Sequence, residues 1–295
     1  MRRLIILSTA VGVSLCGLGQ SLHNNSWSYN FYLGASNMLG DLGGNQGDGT
    51  FGIKDFDARA IRPAIGVGGS YNTKRASLNS NLLYTRLVGN DAFTDVRGRS
   101  VRNLSVRTDL VELNLLGEIR PFSSSFMKRL YVFGGVGGIF YQPKAEYNGE
   151  WVKLRPLGTE GQLLNGDGTY DKFSLVLPYG AGYKFPLGSR STLNLNVGIR
   201  KTFTDYLDDV STVYANTGAL LESSGAIAAA LADRSGLNLA EGAQRGNPSS
   251  MDSYFVVGLK FEKNIGGGQT SCYYDDAPMP SKRKIRKHQR RMFRR

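Results

Sequence analysis

Residues 192–202 constrain this chain more than any motif does. Leu193, Leu195, Val197 and Ile199 alternate there with Asn194, Asn196, Gly198 and Arg200. Successive side chains of a β-strand point to opposite faces, so the segment has one apolar and one polar face. Seven further stretches read as strands: 27–36, 61–72, 77–87, 104–120, 130–141, 172–185 and 252–263. The connections between the eight alternate between long and short all the way along the chain. This predicts an all-β fold, an eight-stranded antiparallel transmembrane β-barrel with its apolar face to lipid and its polar face inward.

The ends of the chain support this. Arg2 and Arg3 followed by a mostly apolar run to Leu18, with Gly17 and Gly19 near its end, predict a cleaved signal peptide over 1–20. Lipidation at Cys16 is disfavoured by the bulk of Leu15 before it. No other run approaches the ~20 apolar residues of a spanning helix, so a membrane form must be a closed barrel. The barrel is assigned to 21–263. An even strand number puts both termini with the short turns, which are periplasmic in outer-membrane barrels, while long loops are extracellular. The expected location is the outer membrane, in contact with its lipid, with N- and C-termini in the periplasm.

The formal charge of +12 is unevenly distributed. Arg2 and Arg3 leave with the signal, and nine cations lie in 281–295, which leaves +1 for everything between. Those nine are Lys282, Arg283, Lys284, Arg286, Lys287, Arg290, Arg291, Arg294 and Arg295. Residues 264–295 thus form a basic periplasmic tail. A run of this kind binds phosphates generically, but a periplasmic location argues against nucleic acid. An acidic protein partner, an anionic membrane surface and a merely solvated tail stay open. Cys272, the single cysteine left after cleavage, is either unpaired or the site of an intermolecular disulfide.

Chemistry is sparse. His23 and His288 lie outside every strand, which excludes a Ser-His-Asp site in the barrel and leaves no zinc cluster. Asp208 and Asp209 read as solvated loop carboxylates rather than an acid–base pair. Residues 165–169 read as a glycine-rich loop tip rather than a calcium loop, and 66–69 open no helix for a dinucleotide. No catalytic residue, cofactor or metal is expected, and the protein reads as no enzyme. Glu112, Glu118, Arg107 and Arg200 are placed in the lumen, in an internal salt-bridge network, since charges facing lipid cost roughly 2–4 kcal/mol near the midplane. Residues 220–232 read as mildly helical, either a docking surface or a short helix over the barrel mouth. The last strand puts Phe255, Val257, Leu259 and Phe261 on one face, similar to the assembly signal of bacterial outer-membrane barrels.

Three segments, 37–44 (NMLGDLGG), 103–112 (NLSVRTDLVE) and 202–211 (TFTDYLDDVS), resemble stretches of the PorG family of Bacteroidetes barrels. The resemblance implies a non-enzymatic component of the type IX secretion system, which exports proteins and supports gliding motility in some species. It implies a scaffold that anchors a periplasmic ring of a PorK-type lipoprotein and PorN, with the 281–295 cations and Cys272 as candidate contacts. The alternatives are an adhesin or surface-binding barrel acting through its extracellular loops, and a transport pore, which needs an open lumen.

Overall fold

A computed structural model describes residues 26–42, 58–73, 75–93, 97–122, 127–164, 166, 168–188 and 190–265. The signal segment, the basic tail and Cys272 lie outside these residues.

The strands are β1 (Ser26–Leu39), β2 (Arg62–Asn72), β3 (Ala76–Asn90), β4 (Ser105–Ile119), β5 (Leu130–Tyr147), β6 (Glu150–Lys153), β7 (Phe173–Pro186), β8 (Ser191–Thr202) and β9 (Ser253–Ile265). All pairings are antiparallel, in the order β4-β3-β2-β1-β9-β8-β7-β5-β6, and β4 also pairs with β5. That last ladder closes the sheet into an eight-stranded barrel. β6 stands apart as a short return strand on the far end of β5. Its turn, Asn148-Gly149, has both residues at positive φ (52° and 83°), the conformation that suits a two-residue hairpin.

Every expected barrel strand is present, with ends shifted by a few residues. The main departure is β5, which continues to Tyr147 and turns into β6. The signal, Asn-Gly between two short β-prone runs, was in the sequence. β3, β4 and β5 (15, 15 and 18 residues) outreach β2 and β8 (11 and 12), so the wall is taller on that side.

The surface is inverted relative to a soluble barrel. Trp27, Tyr29, Phe31, Leu33, Leu82, Leu113, Val136, Phe140, Leu175 and Val197 face outward and exposed. The intervening positions, among them Ser28, Asn30, Asn79, Glu112, Asn114, Lys184, Asn194 and Glu262, are buried inside. Such a wall is stable only against hydrocarbon, and closure leaves no unpaired sheet edge in the lipid. Among the described residues no helix is long and apolar enough to cross a membrane. The chain is a small β-barrel of the outer-membrane type.

An eight-stranded barrel is just wide enough for side chains. Glycines on the inner wall make room for the rings: a Cβ on Gly258 would lie 2.8 Å from the Tyr32 hydroxyl, and one on Gly198 would lie 2.7 Å from the Phe133 ring. Toward the long-loop end the lumen turns apolar, with Leu83, Leu87, Leu110, Ile139, Val176, Tyr254 and Val256 in one cluster. Residues Leu42, Leu207, Val210 and Leu231 of the long connections complete that cluster from above. The inward faces of the strands read as polar; at this end the loops extend a hydrophobic core into the top of the barrel.

Candidate functional site

Three places can carry function: the lumen, the mouth built by the long connections, and the outer surface. The lumen is occupied by ion pairs. Glu118 accepts from Lys184 Nζ at 2.8 Å and Lys260 Nζ at 2.6 Å, with all three side chains nearly fully buried. Arg200 lies 3.6 Å from Glu112, whose other contacts are the Tyr254 hydroxyl at 2.6 Å and Asn114 Nδ2 at 2.5 Å. Glu262 accepts from Ser28, Asn72 and Asn194. Near the short turns, the Arg120 guanidinium reaches the Thr73 and Ala76 carbonyls and the Ser77 hydroxyl. A cavity of about 40 Å³ lined by Tyr32, Asn81, Phe133 and Asn196 is left between these groups, on the scale of a few waters. This is a filled barrel rather than a conduit.

Glu112, Glu118 and Arg200 therefore occupy the lumen in an ion-paired network, as expected. Arg107 does not. The even-numbered residues of β4 face inward, so Arg107 shares the outward parity of Val111 and Leu113. Its guanidinium lies 4.7 Å from the Trp151 ring centroid, on the outside of the wall.

At the mouth the long connections are tied together by carboxylates. Asp208 accepts from the backbone N–H groups of Asp41 and Leu42 at 3.0 and 3.1 Å, and Asp252 accepts from that of Leu207 at 2.9 Å. Asp209 accepts from the Thr159 and Tyr170 hydroxyls at 2.5 Å each. Glu160 takes the N–H groups of Ser211 and Thr212, the Thr212 hydroxyl, and Arg245 at 2.9 Å. Arg102 makes two 2.8 Å bonds to Asp91 and donates to the carbonyls of Asp41 and Arg245. Tyr206 stacks on Tyr170 with centroids 4.4 Å apart. Asp208 and Asp209 are thus buried and bonded, not solvated. Sequence distance hid this, because their partners lie on two other connections.

The 220–232 stretch forms two helices, α1 (Thr217–Ser224) and α2 (Ala226–Ala232). The Asn216 side chain caps α1 by accepting from the Ala219 N–H. Leu220, Ala228 and Leu231 are buried, so these helices pack over the mouth. Leu221, Ile227 and Leu237 face outward.

Burial raises the mouth carboxylates. Asp205 is pushed up to about 7 and Asp209 to about 6. Asp208 and Asp252 rise well above the ordinary range, through burial and through each other, Asp41 and Asp205. Such values can mark acid–base chemistry. Here Asp208, Asp209 and Asp252 are committed to backbone N–H groups and hydroxyls under a packed lid, the signature of a structural clamp. Among the described residues no group of three or more His, Cys, Asp or Glu is arranged to hold a metal. Described residues of 37–42, 103–112 and 202–211 meet at this clamp: Thr108 donates to the Leu207 carbonyl at 2.5 Å, and Asp208 holds the Asp41-Leu42 backbone.

No family model matches the chain, and no curated protein does. Among solved structures, it is similar to Neisserial surface protein A (NspA), at 6% identity over 82% of this chain and 96% of that one, with a TM-score of 0.34. It is also similar to Ail, the attachment invasion locus protein of Yersinia pestis, solved with the heparin analogue sucrose octasulfate. There the identity is 10%, over 81% of this chain and 99% of that one, with a TM-score of 0.36. The fold assignment rests on this chain's own strand pairing and inverted surface.

Proposed function

We propose that this protein is a non-enzymatic scaffold of the type IX secretion system, anchoring the periplasmic PorK/PorN-type ring to the outer membrane. The observation that carries this reading is the sealed barrel: ion pairs fill its lumen and clamped loops close its mouth. A barrel whose lumen is filled in this way, among the described residues, leaves its surfaces and its extensions for work. β9 ends at Ile265, opposite Trp27, on the side of the short turns, and the chain continues from there into the basic segment. On this reading that side is periplasmic, and the nine cations of 281–295 with Cys272 meet the ring. The resemblance of 37–44, 103–112 and 202–211 to the PorG family supports it.

The test is capture of the ring proteins by the full chain after mild detergent extraction. Deleting 281–295 should weaken capture, and raising salt should weaken it for the intact chain, since exposed charge contacts are screened. Cys272→Ser should abolish any covalent complex on non-reducing gels. Undiminished capture without 281–295 would remove the basic segment from the mechanism.

A second reading, a surface-binding barrel acting through its loops, is favoured by the outward Leu221, Ile227 and Leu237 on the ordered cap. It wins if trimming 217–240 destroys function while deletion of 281–295 does not.

A further inference from the structure

The tall side of the wall carries a charge arrangement that the barrel does not need. Tyr84, Val111 and Phe140 are cross-strand neighbours on β3, β4 and β5, all exposed on the outer face, and form the aromatic upper edge of the apolar belt there. The next outward row toward the long loops is Arg86, Asp109 and Gln142. The row after that is Val88, Arg107, Lys144 and Lys153. Arg107, Lys144 and Lys153 thus stand directly opposite one another in two successive pairs. Like charges in directly opposed positions destabilise a sheet.

Asp109 offsets part of this. It lies 2.8 Å from Arg86 Nε, 2.8 Å from Lys144 Nζ and 3.9 Å from Arg107 Nε, one carboxylate among three cations. Arg62, Arg86, Arg107, Glu146 and Trp151 line a groove beside it. The outward face of this patch holds Arg86, Arg107, Lys144 and Lys153 against Asp109 and Glu146, a surplus of two positive charges, in a chain whose barrel is nearly neutral.

We infer that this patch is a head-group site for a phosphorylated lipid of the adjoining leaflet. The acyl chains lie on the belt below Tyr84, Val111 and Phe140, and the phosphate accepts from Arg86, Arg107 and Lys144. Guanidinium groups match phosphate oxygens in paired geometry, and a bound dianion relieves the repulsion along the Arg107–Lys144–Lys153 row. A membrane lipid fits better than a free anion because the cations sit one step beyond the lipid-facing aromatics, where head groups lie. Given the proposed orientation, with the long loops outside, the lipid is a phosphorylated glycolipid of the outer leaflet.

The test uses the purified full chain in micelles, read by native mass spectrometry with three probes: bis-phosphorylated lipid A, the same lipid dephosphorylated, and phosphatidylcholine. Retention of the bis-phosphorylated lipid alone is expected, falling at least tenfold in R107Q/K144Q and persisting in R107K/K144R and in K201Q on β8. Heat-shifted mobility on cold gels verifies that each variant is folded. Equal retention by R107Q/K144Q, or equal retention of the dephosphorylated lipid, overturns the proposal. Displacement by millimolar inorganic phosphate as readily as by added lipid assigns the patch to soluble anions and also overturns it. The measurement contains no ring protein and no membrane sidedness, so it fails or succeeds independently of the scaffold reading. Sidedness is read separately from E150C in a Cys272→Ser background, labelled in intact cells by an impermeant maleimide.

Discussion

Replacing Glu118 with glutamine takes one charge out of the lumen and leaves two. In the native barrel its carboxylate is shared by Lys184 Nζ at 2.8 Å and Lys260 Nζ at 2.6 Å, with side-chain exposures of 3%, 4% and 6% for Glu118, Lys184 and Lys260. Removing one partner of a buried ion pair costs about 3–5 kcal/mol, because the other charge stays desolvated. Here two ammonium groups lose the carboxylate that both of them bind. The glutamine carbonyl still accepts one hydrogen bond, worth roughly 1 kcal/mol, and Asn79 Oδ1 still accepts from Lys260 at 3.2 Å. The expected loss for Glu118→Gln is therefore about 3 kcal/mol, around two powers of ten in the folding equilibrium. The assay is urea unfolding in lipid vesicles, followed by the fluorescence of Trp27 and Trp151 and by gel mobility. The quadruple variant E118L/K184M/K260M/E262Q, which also neutralises the buried Glu262 carboxylate that the two lysines face, leaves no unpaired charge at this level and should recover most of the loss. A loss below about 1 kcal/mol for Glu118→Gln would show that the pairs are screened as surface pairs are. A quadruple variant no more stable than the single one would show that packing, not charge, holds this level of the barrel.

The mouth clamp should fail separately from the barrel. Glu160→Gln leaves Arg245 without its carboxylate and weakens the hold on Ser211 and Thr212, so protease cleavage within 203–252 should rise by roughly two powers of ten, from about 3 kcal/mol. The urea midpoint of the strands should stay nearly unchanged; a parallel fall would show that cap and barrel unfold as one unit. The cap should also loosen as pH rises. Asp205, at about 7, and Asp209, at about 6, sit above the ordinary carboxylate value, so the folded cap binds their protons more tightly than the unfolded loops do. That contribution is full below about pH 4 and is lost as pH climbs through 6 and 7. Cleavage of 203–252 should therefore accelerate from pH 5 to pH 8, after correction for the protease's own profile, and Asp205→Asn should flatten the rise. Acceleration toward acid instead would reverse the sign and reject the assignment.

How much was legible follows from range. The eight barrel strands were readable because each signals itself locally: Leu193, Leu195, Val197 and Ile199 need no knowledge of what they pair with to define an outer face. The lumen positions of Glu112, Glu118 and Arg200 follow from the same parity, and so does the outward position of Arg107, which shares its odd place on β4 with Val111 and Leu113. The β5–β6 hairpin is legible in Asn148-Gly149, a two-residue turn between short β-prone runs. By contrast, nothing around Asp208 or Asp209 announces burial. Their partners are Asp41, Leu42, Thr159 and Tyr170, on connections 39 to 167 positions away. Nor does any window of sequence hold the row of Arg107, Lys144 and Lys153, which exists only once β4, β5 and β6 are in register.

The sequence by itself determined that the chain closes into a barrel with lipid outside and polar groups within, since a period of two is a property of neighbouring residues. It also determined that a strongly basic segment follows the last strand. Only the tertiary structure decided that the barrel is sealed, that its long connections are clamped by buried carboxylates, and that cations line up above its aromatic edge. Those features depend on which residues of distant strands and loops come to stand opposite one another, and closure of the sheet is what sets that register.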